Sequence, residues 1–192
     1  MQSRRIACFF LGLWLGAAVL MAWVGSQAFR AVDHTAVAPN PSAAVALRAL
    51  GPLARPLVRY LISEQNRALF ETWGTLQLVL GVGFFFFLLF GSEEGKLPLG
   101  IGLFMVLVVA VQRFLLTPEM TSLGRTLDFL SPASRPGDWS KFWVLHGAYL
   151  LAEGLKWALG GFLIVLLCRH RGRSGQMDFD LVDRADHRPV SS

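Results

Sequence analysis

Charge is scarce in this sequence, and recognisable catalytic apparatus is missing from it. Only 16% of the 192 residues are charged, against about a quarter in a soluble domain of average composition. Cysteine is scarcer still. Cys8 and Cys168 stand alone, too few for a disulfide framework or a cysteine metal centre, and they read as small apolar residues. No nucleophile elbow, phosphate loop, HExxH pair or Cys/His cluster occurs, so no enzyme is expected. A haem at membrane depth would need two axial ligands, and only His146 qualifies. Copper transport would favour clustered soft ligands, whereas the five methionines are scattered. Copper or haem handling therefore ranks last, and neither a metal site nor a cofactor is expected.

What the sequence has instead is apolar length. Four runs lie at about Ile6–Trp23, Trp73–Phe90, Leu97–Leu116 and Phe142–Cys168, and a helix crossing the hydrocarbon core needs roughly 20 mostly apolar residues. The chain is 54% hydrophobic with a mean hydropathy of +0.49. The expected fold is all-α: an integral membrane four-helix bundle over residues 1–168, followed by a disordered cytosolic tail over 169–192. No length remains for a separate soluble catalytic domain.

The net charge of +5 would suit nucleic acid, but its placement argues otherwise. Arg4 and Arg5 precede the first run, and Arg169, Arg171 and Arg173 follow the last. That is the positive-inside pattern, which puts both termini in the cytosol of a cell (inner) membrane protein and needs no nucleic-acid partner. Ala31–Phe70 and Thr117–Lys141 then lie outside, and Gly91–Lys96 is a cytosolic turn. Arg48, Arg55, Arg59 and Arg67 run against this assignment; the agreement of the two chain ends decides it. A cleaved signal is the rival reading of the first run, with Arg4-Arg5 as basic region and Ser26-Gln27-Ala28 as cleavage site. The length of the run, and Gly12 and Gly16 in a GxxxG spacing, favour a retained span.

Between the first two spans, His34–Pro41 reads as an extended loop. Ala43–Tyr60 then reads as an amphipathic outer segment, broken by Pro52 and Pro56. Arg48, Arg55 and Arg59, seven and four apart, would share one helical face. Such a segment lies at the bilayer interface or packs on the bundle as a solvated hairpin. The run Phe84–Phe87 covers a whole helix circumference, so most of its rings are expected to face lipid.

Ionisable residues inside a span cost roughly 2.5–3.5 kcal/mol each at the helix centre, which makes them the informative ones. His146, Tyr149 and Glu153 are spaced three and four and share a face of the fourth helix. Lys156, three residues beyond Glu153, is placed to neutralise it. Glu153 falls about 16 Å from the start of the run, near mid-bilayer. Gly147, Gly154 and Gly161 recur every seventh residue as a packing stripe. The second helix brings Asn66, Phe70, Trp73 and Gln77 to one face, and the third carries Gln112 and Arg113 just before Thr117-Pro118. Threaded through the topology, these residues define a polar pocket open to the outside, with Glu153 and Lys156 at its floor. The plainer reading makes the polar groups interhelical hydrogen-bond glue, worth only ~0.6 kcal/mol each on average.

Trp14-Leu15-Gly16, Phe29-Arg30, Leu116-Thr117-Pro118 and Leu145-His146-Gly147 together resemble the transmembrane protein 205-like family. The resemblance spans most of residues 6–168. It implies a small four-helix membrane protein in a family largely without an assigned activity, and kinship with copper-resistance membrane proteins makes metal handling worth weighing. The chain departs from the family pattern at Tyr149 and Glu153, where a serine and then an asparagine are usual. Two functions stand. Either the bundle binds or passes a small polar solute or proton at Glu153, or it is a scaffold or accessory subunit that packs against a membrane protein partner or a second copy through glycine faces.

Overall fold

In the computed structural model the chain is described over residues 2–37, 40–91, 95–130 and 133–186, with the side chains of 2, 31–37 and 169–186 left out. The described residues are almost wholly helical and include no strand. The elements are α1 (Gln2–Val37), α2 (Pro41–Leu50), a 3-10 turn (Gly51–Leu53), α3 (Ala54–Gly91), α4 (Lys96–Val111), a π-helical stretch (Gln112–Leu116), α5 (Thr117–Leu127) and α6 (Pro136–Asp186). Four helical stretches are long and apolar enough to cross a membrane: Ser3–Arg30, Pro41–Gly91, Lys96–Leu127 and Pro136–Cys168.

The helices pair antiparallel in sequence order. Trp14 of α1 meets Phe84 of α3 edge-on at 6.4 Å, while further along α1 Gly25 faces Phe70. Leu88 faces Gly102 of α4, and Gly74 faces Arg113 beyond it. One half of the bundle is a dry core. Ala7, Leu11, Trp14 and Ala18 form its α1 stripe at spacings of four, three and four, closed by Phe84, Leu88, Met105, Val109, Leu163 and Leu167. Close approach there depends on absent side chains. A Cβ at Gly160 would lie 2.7 Å from Leu15 Cδ1, and one at Gly81 would lie 3.0 Å from the Trp14 ring.

The structure redraws several boundaries. The third helix does not end at Thr117-Pro118. Proline has no N–H, and its ring crowds the carbonyl four residues back, but here the helix widens instead of stopping. The Thr117 N–H reaches Gln112 O across a π turn, and Thr117 Oγ1 donates to the same oxygen at 2.8 Å. The rod then continues through α5, inside the Thr117–Lys141 stretch expected to lie outside the membrane. The second helix begins at Ala54 and runs 38 residues, about 57 Å at ~1.5 Å per residue, well beyond one bilayer core. His34–Val37 is helical, Ala38 and Pro39 lie outside the described residues, and Pro41 opens α2, where Asn40 Oδ1 accepts from the Ser42 and Ala43 amides. Arg48 is separated from Arg55 and Arg59 by Gly51, whose φ of +56° turns the chain, so the three arginines do not share one continuous face. Of the phenylalanine run, Phe84 belongs to the core and Phe86 points outward. The expected disordered tail is helical in backbone as far as Asp186, and its last residues, 187–192, lie outside the described ones.

Candidate functional site

Away from the dry core the helices splay, and a cavity of about 1550 Å³ lies between them. α1 contributes a narrow wall of Ala18, Met21, Ala22, Gly25 and Ser26; α3 contributes Arg59, Ser63, Asn66, Arg67, Phe70 and Trp73. Thr117, Thr121, Gly124 and Asp128 come from the rod of α5 and just past it. α6 supplies Trp139, Trp143, His146, Tyr149, Glu153 and Trp157, whose last four members keep the three-and-four spacing of one face. The cavity is lined mainly by aromatic and aliphatic surface, whereas the sequence led us to expect a polar pocket. Polar side chains gather at its floor and its mouth, because apolar rings fill the α3 and α6 positions between them.

The floor is a cluster around one carboxylate oxygen. Glu153 Oε1 accepts from Lys156 Nζ at 2.8 Å, Gln112 Nε2 at 3.2 Å and Gln77 Nε2 at 3.4 Å. Lys156 also donates to Gln77 Oε1 at 2.5 Å, the atom that Trp14 Nε1 approaches at 3.4 Å. Gln112 Nε2 donates in addition to the Tyr149 carbonyl at 3.2 Å. Lys156 is 2% exposed, and an unpaired ammonium there would carry a desolvation cost of several kcal/mol. The cluster is therefore a mutually dependent unit of four helices: Trp14, Gln77, Gln112 and the Glu153–Lys156 pair.

The expected site residues separate into three groups. His146, Tyr149 and Glu153 face the cavity. Gln77, Gln112 and Lys156 lie buried behind Glu153 and fix its orientation. Arg113 does not join them. Its Nε donates to Thr75 Oγ1 at 3.0 Å, its stem passes the bare face of Gly74, and its guanidinium lies over the Phe114 ring. His146 stacks on Phe142 at 6.1 Å and meets Trp143 edge-on at 5.8 Å. Among the described residues no three His, Cys, Asp or Glu side chains gather as metal ligands. The glycines expected to pack helices do not do so within the chain: a Cβ at Gly12, Gly16, Gly147, Gly154 or Gly161 meets nothing within 4 Å. Close approach falls instead to Gly25, Gly74, Gly81, Gly124 and Gly160, since the crossing points of the helices, and not the spacing of small residues, decide where backbones meet.

An ion-pair clamp at the mouth is absent from the sequence reading. Arg67 binds Asp128 with both terminal nitrogens, each bond 2.9 Å, and Glu64 at 2.7 Å. Glu64 in turn accepts from Arg125 at 2.9 and 3.1 Å. Gly124 makes room, since a Cβ there would lie 3.0 Å from the Arg67 guanidinium. On the α5–α6 side, Lys141 pairs with Glu119. Glu64 and Arg67, three apart on α3, were the only sequence hint of this clamp; Asp128 is 61 residues away and is brought in by the antiparallel return of the α5 rod.

Comparison with known proteins finds no match to any family model, characterised protein or solved structure.

Proposed function

We propose that the chain is a multi-pass integral membrane protein that binds a small solute in the cavity above Glu153. The apolar outer surface supports the membrane assignment: Phe9, Phe90 and Leu151 are 69%, 79% and 77% exposed, a surface that lipid solvates and water does not. The basic flanks of the first and last helices support cytosolic termini in a cell membrane. The resemblance to the transmembrane protein 205-like family agrees with this placement and adds no activity.

One observation carries the binding reading: a large cavity with a single carboxylate held in its floor by buried partners. Concave, mostly apolar sites with a few convergent polar groups are the usual form of a small-molecule site. Beneath the floor, Leu11, Met105 and Leu163 are fully buried, and the described core offers no polar side chain to continue a path. That favours binding over passage of a solute or proton. The test is an unbiased solute screen by thermal shift on the protein in lipid nanodiscs, repeated with Glu153→Gln. Binding at the cavity predicts stabilising solutes whose effect weakens in the variant; a flat screen overturns it.

The second reading, a scaffold or homo-oligomer, draws on the open faces of Gly12, Gly16 and Gly161. Light scattering of the detergent-solubilised protein tests it: an oligomer that Gly12→Leu dissociates supports it, and a monomer under mild extraction overturns it.

A further inference from the structure

Between α1 and α6 the cavity opens sideways. The two helices meet where Leu15 closes on Gly160, and from that crossing both run outward along the cavity. On α1 the rim is Ala22, Ser26 and Phe29, at spacings of four and three. On α6 it is Trp143, Leu150 and Trp157, every seventh residue. All six are exposed although they line the cavity, Trp143 by 61% and Leu150 by 56%. Both rims belong to helical stretches long and apolar enough to cross a membrane. In the membrane assignment proposed above, the gap therefore faces lipid and not water.

The depth of the cavity is that of one lipid leaflet. Gln77 and Glu153, 3.4 Å apart, mark the level of the floor. Arg67 on α3 and Trp143 on α6 each stand ten residues above them, about 15 Å at ~1.5 Å per residue. Half of a hydrocarbon core of about 30 Å is the same length. The clamp of Arg67 on Asp128 and the Trp143 ring thus fall where charge and tryptophan gather at a membrane surface. Below that level the walls are largely apolar, with Ala18, Met21, Phe70, Trp73 and Leu150 among them. The polar atoms of the lining are turned under its surface: Glu153 Oε2, Asn66 Oδ1 and Trp139 Nε1 are all buried within the protein. What the cavity offers a ligand is apolar area of leaflet depth, reached from the side.

We propose, resting on the binding reading above, that the cavity's ligand comes from the bilayer: an acyl chain of a phospholipid, which enters between α1 and α6 and lies against Trp73 with its end above Glu153. Trp73 is the reporter. It lines the cavity yet is only 6% exposed, so lipid around the protein does not touch it. Its emission, taken as the difference between wild type and Trp73→Phe, is compared in two kinds of nanodisc. One is made of phosphatidylcholine, the other of phosphatidylcholine dibrominated midway along its chains, since bromine quenches an indole on contact. The expected result is loss of most of the Trp73 emission in the brominated lipid. Ala22→Phe combined with Gly154→Phe narrows the gap from both sides and should restore that emission; Gly154 lines the cavity, and a Cβ there meets nothing within 4 Å. Undiminished quenching in this variant would mean that chains reach Trp73 by another route, and it overturns the proposal. Acrylamide, a small water-soluble quencher, separates the two ways of failing. Trp73 quenched by acrylamide but not by bromine overturns the acyl chain and leaves the cavity as a site for small polar solutes. Quenching by neither overturns both readings. The wild-type comparison of the two lipids decides by itself should the double variant fail to fold.

Discussion

Lys156 Nζ lies 2.8 Å from Glu153 Oε1, and the two residues of this ion pair face opposite ways, Glu153 onto the cavity and Lys156 into the protein. Three residues on one helix suffice to neutralise the pair, but only the packing of α1, α3 and α4 against α6 turns one partner into a wall and the other into its foundation.

Removing that foundation should be costly. Lys156→Met leaves Glu153 without its counter-ion and is expected to destabilise the protein by about 3–5 kcal/mol. Lys156→Met combined with Glu153→Gln should recover part of the loss, because no charge is then left unpaired. Thermal unfolding of both in one detergent mixture checks this. Additive losses would mean the two side chains act independently.

Glu153→Gln alone separates a working carboxylate from a structural one. It leaves Lys156, 2% exposed, without its counter-ion, so a clearly lower unfolding midpoint is expected. An unchanged or raised midpoint would mean the carboxylate is not needed to hold Lys156 in place and is a charge kept at a cost in stability, as functional charges often are.

The clamp of Arg67 on Asp128 joins α3 to the end of the α5 rod with two 2.9 Å bonds, and its side chains are 14% and 9% exposed. Arg67→Ala and Asp128→Ala should each cost about 1.5–3 kcal/mol. The double variant should cost little more than either, since both remove the same pair of bonds. A double-mutant cycle in unfolding midpoints measures this, and full additivity would sink the clamp.

Glycine substitutions should divide sharply. Gly160→Ala places a Cβ 2.7 Å from Leu15 Cδ1, and overpacking there should cost about 1–3 kcal/mol. Gly12→Ala and Gly16→Ala meet nothing within 4 Å and should stay within about 0.5 kcal/mol of wild type. Loss of stability at Gly12 or Gly16 would instead reveal an interface with another chain.

The proposed topology is tested by thiol labelling. With Cys8 and Cys168 replaced by serine, Ser42→Cys should react with a membrane-impermeant maleimide in intact cells. Ser174→Cys should react only after permeabilisation. The reverse pattern would invert the orientation, and labelling of both in intact cells would break the four-span reading.

Much of the fold was legible in the residue order, because a helix declares itself locally. Apolar length marked four helices, and the spacing of His146, Tyr149 and Glu153 put them on one face, as the structure bears out. What the sequence left open was every relation between helices. Periodicity says which side chains share a face but not what that face meets. Arg113, one residue after Gln112, therefore points away from the floor to Thr75. Gly160 and Gly124 admit neighbours while the regular stripe of Gly147, Gly154 and Gly161 admits none. Pro118 does not end its helix, which widens into a π turn just before it, where the Thr117 N–H and hydroxyl both close on Gln112 O. Local hydrogen bonding and hydrophobic length are written residue by residue; the crossing of packed helices is a property of all of them together, and it alone decided that Glu153 should face a cavity and Lys156 should not.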